Sequence, residues 1–250
     1  MKRIESVKNE KVKKWKKLHL KKEREKQGLF LIEGFHLVEE ALKQQGVVQE
    51  LVMLEGTSLP EDFEHGSIPM TIVSKEVFRL LSETEAPQGI IAVCKKRSRD
   101  INIHDNKWLL IDAVQDPGNL GTIIRTADAA GMDVVILGEG TVDLYNSKTI
   151  RATQGSLFHL PIIHASLKDI ITQLKNASIP VYGTSLSNAV SYKTIEPSEK
   201  FALIVGNEGN GVSVELLAMT DQNLKIPIYG KAESLNVAVA SAIFMYHLLK

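Results

Sequence analysis

The 250-residue chain has one cysteine, Cys94, so it forms no internal disulfide and cannot assemble a thiolate metal site by itself. Its histidines show no H-x-x-x-H pair, and His36, His65 and His104 stand isolated, which argues against zinc chemistry and predicts no metal. Nucleophile motifs are equally scarce. Ser156, in Gln154-Gly155-Ser156-Leu157, is not inside a G-x-S-x-G elbow, and no lysine followed by Ser or Thr completes a P-loop. The positively charged N-terminus lacks the apolar stretch of about 7–15 residues found in a signal peptide. Its lysines outnumber its arginines and are interspersed with Glu5, Glu10, Glu23 and Glu25, unlike an organellar transit peptide. The apolar C-terminal stretch Leu235–Leu249 contains Asn236 and Ser241 and is too short and polar to span a bilayer. These absences predict a cytoplasmic protein without membrane attachment.

What is present is a folding composition, 44% hydrophobic and 24% charged, over a length that suits one large or two modest domains. Charge is balanced overall but not along the chain. Residues 1–30 hold twelve Lys or Arg and four Glu, a net +8, so the remaining 220 residues sum to −8. A basic end on an acidic body is the asymmetry expected of a chain that meets a polyanion, and it predicts an RNA-contacting N-terminal arm over residues 1–28. A solvated helix competes with that reading, because Ile4, Val12, Trp15 and Leu18 form an apolar stripe. Lys95, Lys96, Arg97 and Arg99 make a second cationic cluster.

Residues 29–94 read as a small α/β domain. Strand-like runs start at Leu29, Leu51, Met70 and Gly89, and helices start after Gly34 and Ser74. Nothing in it has catalytic spacing. The polar run from Cys94 to Lys107 lacks periodicity, and residues 95–107 are read as a linker. From 108 to 250 apolar strands alternate with helices: 108–111, 134–137, 161–163, 181–184, 201–205 and 224–228. Such continuous runs predict an α/β fold with a mostly parallel sheet covered by helices on both faces. Loops at the C-terminal ends of such strands are the usual ligand sites.

Three of those loops stand out. In Asp116-Pro117-Gly118-Asn119-Leu120-Gly121 Asn119 is placed to cap a helix, with Arg125 about two turns in. Gly206-Asn207-Glu208-Gly209-Asn210-Gly211 has three glycines in six residues, which frees its backbone to approach a ligand. The Glu208 carboxylate would repel phosphate, and the glycine spacing is not the dinucleotide fingerprint. In the third, Ile226-Pro227 leads to Ser234-Leu235-Asn236, where Ser234 is placed to cap a last, nearly all-apolar helix that needs cover.

Together, Asn119-x-Gly121-x-x-x-Arg125, the loop 206–211 and the pair Ile226-Pro227 with Ser234-Leu235-Asn236 resemble the three signature motifs of the SpoU, or TrmH, family of SPOUT RNA 2′-O-ribose methyltransferases. The resemblance spans Trp108 to the end. Less specifically, the segment from Phe30 to Val93 resembles the substrate-binding domain that often precedes the catalytic one. The resemblance implies a deep C-terminal trefoil knot, a homodimer and S-adenosylmethionine held in bent form. By motif position Gly206, Ile226 and Leu235 would hold the cofactor, and Asn119, Arg125, Glu208, Ser234 and Asn236 would surround the reacting groups. Arg125 would clamp the neighbouring phosphate and steady the developing alkoxide, since a guanidinium is a poor base. Glu208 or a solvent chain would accept the proton. Ribosomal RNA is preferred over transfer RNA as substrate, because an accessory domain with a basic arm suits a large folded partner. A silent RNA-binding module and a nicotinamide-dependent oxidoreductase compete, the second without its fingerprint.

Overall fold

The computed structural model describes residues 2–60, 63–97 and 101–250. Arg99 of the second cationic cluster lies outside them. The chain divides into two compact units, residues 1–97 with 145–158, and residues 98–144 with 159–250.

Unit 1 contains β1 (Lys2–Ile4), α1 (Glu10–Lys17), α2 (Lys21–Gln27), β2 (Leu29–Glu33), α3 (Phe35–Leu42), β3 (Val48–Leu54), β4 (Met70–Val73), α4 (Lys75–Leu81) and β5 (Ile90–Lys95). The strands form a sheet of order β1-β4-β3-β5-β2. Alternate side chains leave its two faces, and each face buries its own cluster. On one, Phe30, Leu51 and Ala92 pack with Val38 of α3 and with Ile150 and Phe158 from the inserted segment. On the other, Val52 and Val93 pack with Val12 and Trp15 of α1 and with Phe78 of α4. The inserted segment, with the helix α6 (Ser147–Thr153), interrupts what the sequence presents as a continuous second domain.

Two expectations for this region change. The basic N-terminus folds into unit 1, since β1 pairs in parallel with β4 and Ile4, Val12, Trp15 and Leu18 are buried. Its apolar stripe therefore prevails over the picture of a separate arm. Cys94 lies buried within β5 rather than at the start of a linker, and that burial pushes its thiol pKa up.

Unit 2 contains β6 (Lys107–Ile111), α5 (Pro117–Ala129), β7 (Val134–Leu137), β8 (Ile162–His164), α7 (Leu167–Asn176), β9 (Val181–Thr184), β10 (Val190–Ser191), β11 (Phe201–Val205), α8 (Val214–Leu217), β12 (Gln222–Lys225) and α9 (Val237–Leu248). Its seven strands are all parallel, in the order β10-β12-β9-β11-β6-β7-β8. Residues 108–111, 134–137 and 201–205 are buried at both parities, which is what helices on both faces impose. Trp108, Leu110, Ala202 and Ile204 face Ile171 of α7 and Leu216 of α8, while α9 packs against α5 and β11. The last strand ends at Lys225 rather than Ile228, because Pro227 has no amide to extend a ladder. The last helix begins at Val237 rather than Leu235.

Candidate active site

The site is built where the strand order turns back. The chain runs outward from β6 through β7 to β8, then returns to place β9 and β11 on the other side of β6. Crevices at such reversals, outside the carboxyl ends of parallel strands, are favoured ligand sites. Val205 lies beside Ile111 in the β11–β6 register, so the loop after β11 meets the loop after β6.

Those loops are tied by side chains distant in sequence. The Asn207 amide donates to the Ala113 carbonyl at 2.9 Å, and its oxygen accepts from the Gly209 and Asn210 amides at 2.9 and 3.0 Å. Asp112 accepts from the Ser213 amide at 2.7 Å. Gly206 is obligatory, since a Cβ there would lie 2.1 Å from the Gly211 carbonyl carbon, and backbone cannot yield cheaply.

Glu208 closes the arrangement. One carboxylate oxygen accepts from the Asp116 amide and the Asn119 side chain, each at 3.0 Å, and the other accepts from the Gln115 amide at 3.1 Å. Partial burial alone raises its pKa, but the bonds from Asn119, Asp116 and Gln115 outweigh it and hold the carboxyl below its ordinary range. Asn236 donates from its amide to the Asn119 oxygen at 2.9 Å. The structure thus joins Asn236, Asn119 and Glu208, one from each sequence motif, into a single chain of hydrogen bonds.

Two caps differ from the sequence reading. Asp116 caps α5, accepting from the Asn119 amide at 2.8 Å, so Asn119 sits inside the first turn with its side chain free for Glu208. Pro117 directly after Asp116 was the available signal. Asn236, not Ser234, caps α9, accepting from the Ala238 and Val239 amides. Ser234 and Arg125 are exposed, and Arg125 makes no hydrogen bond or ion pair with any described residue. Asn207, Asp112 and Gln115 were given no role from sequence, because their partners lie about a hundred residues away.

The residues present fit a ligand held by main-chain groups. From Ile226 to Leu235 no backbone amide or carbonyl bonds to another described part of the chain, and Leu235 is 36% exposed although apolar. An adenosine with a methionine tail needs that mixture, backbone donors and acceptors beside an aliphatic contact.

Residues 106–246 match the SpoU rRNA Methylase family, and residues 9–92 match the MRM3-like substrate binding domain. The 23S rRNA (guanosine(2553)-2′-O)-methyltransferase RlmP of Bacillus subtilis is 56% identical over 248 residues, 99% of each chain. An AdoMet-bound rRNA methyltransferase from Sinorhizobium meliloti superposes with a TM-score of 0.88 at 34% identity, covering 99% of this chain and 97% of the other. The SpoU methyltransferase AviRb from Streptomyces viridochromogenes, in complex with AdoMet, gives 0.86 at 26% identity, over 96% and 97%. Fold and site thus define an RNA methyltransferase with S-adenosylmethionine as methyl donor. The chain belongs to the SpoU family, as its three motifs implied.

Proposed function

We propose that this protein methylates the ribose 2′-hydroxyl of a guanosine in 23S ribosomal RNA, in the cytoplasm. The observation that carries the reading is the 56% identity to RlmP across 99% of both chains. Mapping 2′-O-methyl groups in 23S rRNA with and without the gene tests it: one ribose methylation should vanish on deletion, and an unchanged map would refute the proposal.

When bound, S-adenosylmethionine supplies an electrophilic methyl group. We assign its binding to Gly206, Ile226 and Leu235, supported by the uncommitted backbone of 226–235. Arg125, exposed and unpaired, clamps the phosphate beside the target ribose and steadies the alkoxide that forms. Glu208 is a positioning residue. Its carboxylate already accepts three hydrogen bonds and its pKa is depressed, which makes it a weak proton acceptor. Water takes the 2′-hydroxyl proton. Asn119 holds the first loop to Glu208 and Asn236 holds the third loop to Asn119, and Ser234 lines the third.

The trefoil knot and the homodimer belong to the same proposal. Family membership supports the first. The second is supported by α9, whose Val239 and Tyr246 are 50% and 58% exposed on a helix without a charged residue before His247. Apolar surface of this kind suits a closed twofold interface. Sedimentation at micromolar concentration should give a dimer, and a monomer would remove it.

A further inference from the structure

Unit 1 carries two cationic clusters in sequence, and the structure separates them. Arg97 donates to the Gln44 side chain at 2.8 Å and to the Gln45 carbonyl at 3.4 Å, and Lys96 lies over the Tyr145 ring at 4.5 Å. Those two residues are engaged with their own unit, while Lys95 is exposed. Of the lysines on α1 and α2 only Lys11 and Lys13 are paired among the described residues, with Glu50 and Glu10. Lys14, Lys16, Lys17, Lys21, Lys22 and Lys26 are exposed and make no hydrogen bond or ion pair with any described residue. Of the four glutamates in the segment, Glu10 is paired with Lys13, Glu5 with Arg3, and Glu23 is bonded to Gln27, leaving Glu25 as the one exposed counter-charge without a partner among the described residues.

Both helices are anchored. Val12, Trp15 and Leu18 fix α1 to the core, and the buried Arg24 guanidinium donates to the Leu18 and His19 carbonyls, both at 2.7 Å, bracing the corner where α1 passes into α2. An arginine is therefore consumed in holding the corner while lysines are left outside. On α1, Lys14 and Lys17 project opposite the Val12–Trp15 stripe, and on α2, Lys22 and Lys26 lie four residues apart, opposite Arg24.

We propose that the outer face of α1 and α2 is a docking surface for the phosphodiester backbone of RNA. It rests on the reading of RNA as substrate and adds where the backbone is gripped. Lysine ammonium groups are point charges that neutralise phosphates without reading bases. The grip is therefore independent of sequence and positions the substrate rather than choosing the nucleotide. Fixed cations on a folded surface lose less entropy on binding than cations on a free arm.

The test measures the affinity of an in vitro 23S rRNA transcript for the full-length protein as a function of salt. Two variants with equal charge loss are compared with the unaltered protein: Lys14, Lys17, Lys22 and Lys26 all changed to Gln, and Lys43, Lys75, Lys193 and Lys200 all changed to Gln. The first set should lower the log–log salt slope by about three, near 0.7–0.9 for each phosphate that is no longer neutralised, and weaken binding more than tenfold at about 0.1 M salt. It should leave S-adenosylmethionine affinity unchanged. The second set should barely move the slope. Equal losses from both sets, or an unchanged slope in the first, would overturn the docking surface while leaving the RNA reading intact. An unaltered protein with no salt-dependent affinity for the transcript would instead overturn the RNA reading.

Discussion

Unit 2 is a sheet of seven parallel strands, whereas the five-stranded sheet of unit 1 has two parallel and two antiparallel pairings. Parallel order sends the C-terminal end of every strand to one edge, so loops from distant parts of the sequence converge there. Asn119, Glu208 and Asn236 come into hydrogen-bond contact across separations of 89 and 117 residues for that reason. The mixed sheet of unit 1 divides its loops between two edges, and its polar clusters span shorter separations: Glu33 accepts from Ser82, Glu83 and Thr84, 49 to 51 residues away, and Glu50 accepts from Lys11 and Thr71, 39 and 21 residues away. What unit 1 offers is the outside of its helices. Chemistry is thus assigned to loop ends in one unit, and contact with an extended partner to helix surfaces in the other.

The largest expected effect lies in the N-terminal helices of unit 1. Trp15→Ala removes a side chain only 4% exposed and should cost about 3–5 kcal/mol, the range for a large aromatic removed from a core. Chemical denaturation measures it, and a cost below about 1 kcal/mol would return α1 to a loosely attached arm.

In unit 2 the next largest effect is expected at Arg125. Arg125→Ala should slow single-turnover methyl transfer by about 10²–10³-fold, the usual cost of losing one electrostatic stabiliser, with S-adenosylmethionine affinity unchanged. Arg125→Lys should retain part of the rate, since charge survives and the planar fork does not. A lysine variant whose rate instead climbs steeply toward the lysine pKa of about 10.4 would make this residue the general base.

Glu208→Gln has the smaller expected effect. The glutamine amide presents a donor where an amide donor already points, at a cost of about 1–3 kcal/mol, and turnover should fall roughly tenfold with its pH profile shape preserved. Loss of all turnover with cofactor affinity intact would make Glu208 the proton acceptor. The depressed pKa adds a sign. Stability from the charged form is fully present above the unfolded carboxylate value of about 4.3 and is lost as pH falls through the lower folded value. Thermal melts at descending pH should show that loss in the unaltered protein and a smaller one in the glutamine variant.

How far these features were legible depended on whether their causes were local. The strands at 108–111, 134–137 and 201–205 were readable because burial on both faces leaves an unbroken apolar run. The site loops were readable because Gly206, Glu208 and Asn236 belong to recognisable motifs. Roles inside the site were less so. Whether Asn119 caps α5 or reaches Glu208 is decided by Asp116, and the bonds that make Glu208 a poor base come from amides 92 and 93 residues earlier. Lysine count foretold a basic N-terminus, but its fate turned on a four-residue apolar stripe finding β3, β4 and β5. The segment 145–158 carried no signal that it packs with unit 1, because an amphipathic helix does not name its partner.

Methyl transfer to a ribose hydroxyl can be read by incubating the purified protein with labelled S-adenosylmethionine and 23S rRNA transcript, then hydrolysing the RNA in alkali. A 2′-O-methyl group removes the nucleophile that alkali needs, so the label should be recovered in one alkali-resistant dinucleotide. Label released entirely as mononucleotides would place the methyl group on a base and rule out a ribose 2′-O-methyltransferase.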